Sequence, residues 1–306
     1  MCLITTNLLI SYAIMKTKKY FICSDIHGFY KEWIQSLKEA GFKKNDENHV
    51  LIVLGDIFDR GEEPWKIYKF LRAIPEDRLI LIKGNHESLL IRLVERKSPN
   101  YCDFTNGTYG TLVSLYKDPN EVRNKWILEN GKNYNDELIF IKDALKVFDR
   151  AKRKLYDNRK LNEIIEWIKS PQWRYFYEMG KYIFVHSFIP LEGLGSNPKH
   201  YYFSRWREEA TKEMWDAATW VCPYKLYLAG CFDEEIKRGK VLVCGHWCTS
   251  DFYNTLLYKN NPDKQLDIRK SNPIFKSELY PGLIAIDACT VLTKVVNILI
   301  IDENDL

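Results

Sequence analysis

The stretch that most constrains this chain is residues 49–61, HVLIVLGDIFDRG. An apolar run, Val50 to Leu54, reaches Gly55 without a polar break, and Asp56, Asp59 and Arg60 follow at once. An unbroken β-branched and leucine run bounded by glycine predicts a strand buried on both faces. Its polar residues then lie just past the carboxyl end, where open α/β sheets bind ligands. Two carboxylates and a guanidinium gathered there are costly unless paired or engaged by a ligand. A metal-phosphate site meets that constraint.

The same grammar recurs along the chain. The run 20–23 leads to Asp25 and His27, whose two-residue spacing places both on one side of an extended backbone. Helical spacing follows over 29–40 and again over 65–71, after the turn at 61–64. The run 78–83 ends in Gly84-Asn85-His86-Glu87, with a helix expected from 88 to 97. Three strand-loop-helix units predict an α/β fold, a central β-sheet flanked by helices. Strands at 181–185 and 240–244 resume it, ending in His186 and His246, and 283–287 with 294–301 read as a closing hairpin. Residues 98–178 and 190–239 break the rhythm and read as insertions within a single domain of residues 1–306. The first is expected to be helical, from apolar spacing through Ile141, Leu145, Phe148, Leu155, Leu161, Ile164, Ile165 and Ile168. Its basic run at 150–154, RAKRK, reads as a solvated helix face. The second carries Arg205-Trp206-Arg207 and two expected helices.

Totals narrow the class. With 45 Lys+Arg against 41 Asp+Glu, the net charge of +4 carries no strong nucleic-acid signal. The eight cysteines are scattered, several inside apolar runs, so reduced thiols in a cytoplasmic protein are expected. Cys244 and Cys248 flank His246, but no second cysteine pair completes a structural zinc site. The apolar first fourteen residues fall short of the ~20 needed to span a bilayer and have no basic leader. They read as an extension ahead of Met15.

Of six histidines, four (His27, His86, His186, His246) stand immediately past strand-like runs, joined there by Asp25, Asp56 and Asn85. Parallel strands bring their carboxyl ends together, so all seven converge on one crevice. Aspartate, histidine and asparagine without thiolate suit Mn²⁺, Fe or Zn²⁺, and the donors exceed what one ion needs. Two ions sharing a carboxylate account for the surplus, with Asp56 on the most apolar strand as the bridge.

These residues carry a family resemblance. SDIHG (24–28), GDIFDRG (55–61), GNHE (84–87), VH (185–186) and GH (245–246), in order and each behind an apolar run, resemble the signature of calcineurin-like metallophosphoesterases. The DRG and GNHE forms resemble the phosphoprotein phosphatase branch, including its smaller bacterial and phage members. The likeness covers 19–97, 181–187, 204–207 and 241–301 but not the insertions. It implies the metallophosphoesterase fold, an α+β sandwich. It implies Asp25, His27 and Asp56 around one divalent ion and Asp56, Asn85, His186 and His246 around the other, Mn²⁺ being expected. Arg60 and Arg205 would hold phosphate, and His86, oriented by Asp59, would protonate the leaving group. Hydroxide, made available by cations that bring the pKa of water from 15.7 toward ~7, would attack phosphorus in line. Ser24, Ser187-Phe188 and Trp247-Cys248 depart from the branch pattern, and none is expected to touch a ligand, while the single histidine of GHWC sets the chain apart from branches ending in a paired-histidine motif.

The reading implied is a phosphatase acting on phosphoserine or phosphothreonine proteins or small phosphate esters. A dinucleoside polyphosphate hydrolase shares the ligand set, and Tyr201, Tyr202 and Trp206 beside Arg205 could stack an adenine or equally fill a core. A catalytically silent scaffold is the third reading; the intact donor set argues against it.

Overall fold

The computed structural model describes residues 17–115, 157–193 and 200–306. Strands β1 (Lys19–Cys23), β2 (His49–Val53), β3 (Leu79–Ile82) and β4 (Trp173–Arg174) run parallel in that order. A second sheet contains β5 (Phe176–Met179), β6 (Tyr182–Val185), β9 (Val241–Cys244), β10 (Phe275–Lys276) and β11 (Leu283–Ala285), in the order β10-β11-β9-β6-β5. Its inner three strands are parallel and its edge strands antiparallel to their neighbours. Between them in sequence, β7 (Leu191–Glu192) and β8 (Tyr201–Tyr202) form a short ribbon, and β12 (Leu299–Asp302) closes the first sheet antiparallel to β1.

The period of two along a strand explains the unbroken apolar runs. On β2, Val50 and Ile52, with Leu54 just beyond, face a core shared with Phe184 of β6 and Val243 of β9, between the sheets. Leu51 and Val53 face the opposite way, toward a core with helices. Tyr20 and Ile22 against Phe21 and Cys23 divide in the same manner, as do Tyr182 and Phe184 against Ile183 and Val185. Both faces of each sheet are therefore dry, giving the layers helix, sheet, sheet, helix. The first sheet is covered by α1 (Tyr30–Glu39), α2 (Pro64–Arg72), α3 (Asn85–Arg96), α4 (Tyr101–Thr105), α5 (Thr108–Ser114) and α6 (Arg159–Lys169), through Trp33, Ile67, Leu90, Tyr109 and Ile164 among others. Over the second lie α7 (Trp206–Glu209) and α8 (Lys212–Ala218), contributing Trp206 and Trp215. Each such side chain, fully buried, contributes about 1.5–3 kcal/mol. Among the described residues no helix is long and apolar enough to cross a membrane.

Three expectations change. The closing hairpin does not form: Leu283–Ala285 pairs with β9 and Leu299–Asp302 with β1, in different sheets. Apolar alternation reports burial, not partner, and the chain crosses over through Cys289 and Lys294, both at positive φ. The sheets also resume before residue 181, because Trp173–Arg174 and Phe176–Met179 are already strands. These are short edge strands with too little alternation to stand out. Finally, α3 starts at Asn85 rather than Ser88, so GNHE is itself the opening turn of the helix. Residues 141, 145, 148 and 155 and the basic run lie outside the described residues, whereas Leu161, Ile164, Ile165 and Ile168 are buried on α6.

Glu235 shows how the helical layer over the second sheet is locked. Fully buried, it accepts from Arg207 at 2.8 Å on each oxygen, from the Tyr202 hydroxyl at 2.6 Å and from Trp206 Nε1 at 3.1 Å. Burial would raise its carboxyl above the ordinary 4.5, and these donors override it, bringing it to about 2. Glu235→Ala takes one of two carboxylate partners from Arg207, Glu178 remaining, and leaves Trp206 Nε1 without its acceptor, so it is expected to cost about 1–3 kcal/mol at neutral pH by urea unfolding. A depressed carboxyl stabilises above its unfolded pKa, so the gap from wild type should close as pH falls from 4.5 toward 2.

Candidate metal centre

Every site residue except Arg205 stands where a strand has just ended. Past β1, Asp25 and His27 take positive φ of 53° and 48°; past β2, Asp56 and Arg60 take 55° and 77°; past β9, His246 takes 66°. Asp25 and His27 are thus not on extended backbone, and they converge because the chain curls, not because their spacing alternates. The left-handed region costs a non-glycine residue roughly 1–2 kcal/mol, and such strain persists where the surroundings over-determine it. Two glycines permit the crowding: a Cβ on Gly84 would lie 2.1 Å from Asp56 Oδ1, and one on Gly245 would lie 2.3 Å from Asp25 Oδ2.

Glu87, to which the sequence reading gave no role, ties these turns together. Its buried carboxylate accepts from the backbone N–H groups of Asp56 at 2.9 Å, Ile57 at 3.0 Å and Gly84 at 2.8 Å. The signal was available: glutamate at the third position of a helix is the capping-box residue.

One set of donors gathers around Asn85. Its amide oxygen lies 2.9 Å from His186 Nε2, 3.2 Å from His246 Nδ1, and 3.1 and 3.3 Å from the Asp56 oxygens. His186 Nδ1 donates to the Leu54 carbonyl at 2.6 Å, and the His246 ring meets the Trp220 backbone. With a cation bound, such outer bonds leave the inward-facing nitrogens free to coordinate it. The Asn85 amide, turned over, donates its N–H₂ to these same atoms, and with the oxygen inward it joins them as a donor set for a cation. A second set faces the other Asp56 oxygen: His27 Nε2 is 3.9 Å from Asp25 Oδ1 and 3.9 Å from Asp56 Oδ2, and His86 Nε2 is 3.8 Å from Asp56 Oδ2. His27 Nδ1 is buried without a partner. Two groups able to hold a metal ion, His27-Asp56-His86 and Asp56-His186-His246, thus share Asp56.

The electrostatics agree. Burial, Arg60 and His86 keep the His27 imidazole well below its ordinary value, and burial with His186 takes His246 down to about 3, so both are neutral at pH 7. Burial would also depress His186, but Asp56 and Asp25 hold it up at about 10. Asp56 stays well below the ordinary carboxylate range despite its burial, through His186 and His86. Burial lifts Asp25 to about 6, although Ser24 Oγ and the His246 N–H both donate to it. Ser24, one of the departures from the branch pattern, therefore does touch a candidate ligand.

Beside the donors, Arg60 gives hydrogen bonds to His27 Nε2 at 3.0 Å and His86 Nε2 at 3.2 Å. His86 Nδ1 donates to Asp59 at 2.7 Å, and buried Asp59 also accepts from Thr108 Oγ1 at 2.6 Å and Thr111 Oγ1 at 2.7 Å. Both threonines belong to α5, inside the stretch read as an insertion, where no motif marks them. Replacing both by valine leaves the metal donors intact but frees Asp59 to rotate. We expect about a 10–100-fold fall in kcat, the range for lost outer hydrogen bonds, with unchanged metal content by elemental analysis.

Arg205 is the correction. Its side chain is 68% exposed and pairs with Glu209 at 2.5 Å. Buried Trp206 starts α7 at this point, so Arg205 and Arg207 follow a helical turn rather than an extended strand. Arg207 spends its guanidinium on Glu178 and Glu235. Trp206 is core, and Tyr202 bonds Glu235; neither is a free stacking surface.

Carboxylate, imidazole and amide donors at the strand ends of a β-sandwich define a metal-binding hydrolase scaffold. Residues 18–250 match the profile of the calcineurin-like phosphoesterases, and the chain belongs to that family. It is 40% identical over 88 residues to a symmetrical bis(5′-nucleosyl)-tetraphosphatase of Buchnera aphidicola, covering 28% of this chain and 31% of that one. Over 160 residues it is 27% identical to the asymmetrical bis(5′-nucleosyl)-tetraphosphatase PrpE of Bacillus velezensis, covering 48% and 63%. Over 77 residues it is 35% identical to the serine/threonine-protein phosphatase SIT4 of Candida albicans, covering 24% of each. The chain thus spans about a third of the first of these relatives and under two thirds of the second.

Proposed function

We propose that this chain, working as one domain, is a metal-dependent phosphatase that hydrolyses phosphomonoesters of serine or threonine in proteins, or of small molecules. The observation that supports it most is the pair of residue groups able to hold a metal ion that share Asp56, with Arg60 and the His86-Asp59 pair alongside. Asp25, His27 and Asp56 would hold one divalent ion, and Asp56, Asn85, His186 and His246 a second. Mn²⁺ is the leading candidate, with Fe or Zn²⁺ next. When bound, such ions neutralise phosphate charge and bring the pKa of water from 15.7 toward ~7. Arg60 presents two N–H groups to the phosphoryl oxygens and anchors them. Once Arg60 turns from His27 and His86 to the phosphoryl oxygens, His86 would take up a proton at Nε2 and give it to the leaving oxygen, while Asp59 keeps the proton on Nδ1. The described cysteines are all free thiols, which supports work in a reducing compartment such as the cytoplasm.

The two tetraphosphatase relatives favour a second reading, hydrolysis of dinucleoside polyphosphates. One assay separates them: phosphopeptide, p-nitrophenyl phosphate and diadenosine tetraphosphate with Mn²⁺, the metal content being measured on the same sample. Turnover of the monoesters, abolished by EDTA and restored by Mn²⁺, is expected. Cleavage of diadenosine tetraphosphate alone replaces the first reading with the second, and metal-loaded protein inactive on all three overturns both.

A further inference from the structure

Ser24 stands between the end of β1 and Asp25, and it is as deeply buried as the carboxylate it precedes. A buried hydroxyl has to place its single hydrogen. Two acceptors are within reach. The Leu54 carbonyl lies 3.4 Å away and already accepts from His186 Nδ1 at 2.6 Å, whereas Asp25 Oδ2 makes the far shorter contact and takes the hydrogen. The His246 N–H donates to that same oxygen at 2.9 Å. We infer that Ser24 is a positioning residue that makes Asp25 a ligand through one oxygen, and so sets how tightly the ion beside His27 is held. The inference rests on the metal-dependent reading and adds to it a side chain that touches no ion itself.

The two donors approach Asp25 from different sheets. Ser24 follows β1 of the first, and His246 follows β9 of the second, so one carboxylate oxygen joins them across the layers. The approach is close: a Cβ on Gly245 would lie 1.9 Å from Ser24 Oγ, and the glycine before His246 leaves room for the hydroxyl. With Oδ2 engaged twice, the carboxylate is held against rotation about its Cβ–Cγ bond. Oδ1 then keeps its lone pairs at a fixed place, 3.9 Å from His27 Nε2. Without the hydroxyl, the His246 N–H alone would hold Oδ2, and the carboxylate could pivot about that single bond. Partners that orient a ligand in this way are commonly worth about 10- to 100-fold in metal affinity.

The test is Mn²⁺ binding to metal-free protein by isothermal titration calorimetry, which needs no turnover. Wild type should take up two equivalents. In Ser24→Ala one of them should bind roughly 10- to 100-fold more weakly and the other as before. At Mn²⁺ concentrations that fill both groups in wild type, the electron paramagnetic resonance spectrum of the variant should accordingly change from that of a coupled pair to that of an isolated ion. The change removes one oxygen atom and leaves Asp25 held by the His246 N–H, so the fold is kept. Ser187→Ala is the matched comparison: this serine is equally buried, but its hydroxyl donates to the Val221 carbonyl at 2.6 Å. It loses a hydrogen bond of similar setting and should lower the unfolding temperature while leaving both Mn²⁺ affinities unchanged. Ser24→Ala that binds both ions as tightly as wild type overturns the inference. Equal weakening of both ions in Ser24→Ala does so too, as does the same loss in Ser187→Ala. Wild type that takes up no Mn²⁺ overturns the metal-dependent reading itself, a failure told apart because it shows before any residue is changed.

Discussion

Asp56→Asn should abolish binding at both metal groups at once and lower turnover by at least about 10⁴-fold, or about 5.5 kcal/mol of barrier. The reason is positional. One carboxylate oxygen lies 3.4 Å from His186 Nε2 and the other 3.9 Å from His27 Nε2, so this single side chain serves both donor sets. An amide keeps the shape but removes the charge that holds the His186 imidazole up at about 10. It also replaces a carboxylate oxygen by an N–H₂ group, which cannot ligate a cation. Asn85→Ala, by contrast, touches the set with His186 and His246 alone and should leave part of the metal bound. Elemental analysis after gel filtration, with circular dichroism to confirm folding, distinguishes the two. Asp56→Asn that retains two equivalents of metal would remove the shared-carboxylate arrangement.

The seven residues that converge were legible because the pattern that marks them is coarse: an apolar run, then a polar residue. Burial on both faces needs such runs, and the carboxyl ends of parallel strands must meet, whichever sheet each belongs to. That is why Asp25, Asp56, Asn85, His186 and His246 converge although β1, β2 and β3 lie in one sheet and β6 and β9 in another. The division into two sheets was not legible. Leu283–Ala285 and Leu299–Asp302 carry the same kind of apolar signal, and only the whole topology assigns them different partners. Thr108 and Thr111 were hidden for another reason: a threonine on a short helix carries no mark of the distant carboxylate it serves. Arg205 came from the family pattern alone, and in the structure it pairs with Glu209 beside the helix that buried Trp206 starts.

The division of labour between the metal donors and the His86-Asp59 pair leads to the other large effect. His86→Asn should keep both metals, since the expected ligands are untouched, yet lose about 10²–10⁴ in turnover on alkyl phosphates, the usual range for one general acid. The loss should depend on the leaving group. Serine or glycerol leaves as a strongly basic alkoxide and needs the proton, whereas p-nitrophenolate departs without one. Plotted against leaving-group pKa, log kcat for His86→Asn should therefore fall more steeply than for wild type, the two lines closing together at p-nitrophenyl phosphate. Asp59→Asn should share the slope, because an amide in place of the carboxylate no longer holds the Nδ1 proton that orients the ring, and Thr108 and Thr111 lose their ionic acceptor. Parallel lines would mean that His86 acts on phosphate binding rather than on the departing oxygen. Its Nε2, 3.2 Å from an Arg60 nitrogen and 3.8 Å from Asp56, would then belong with the donors of the first metal group.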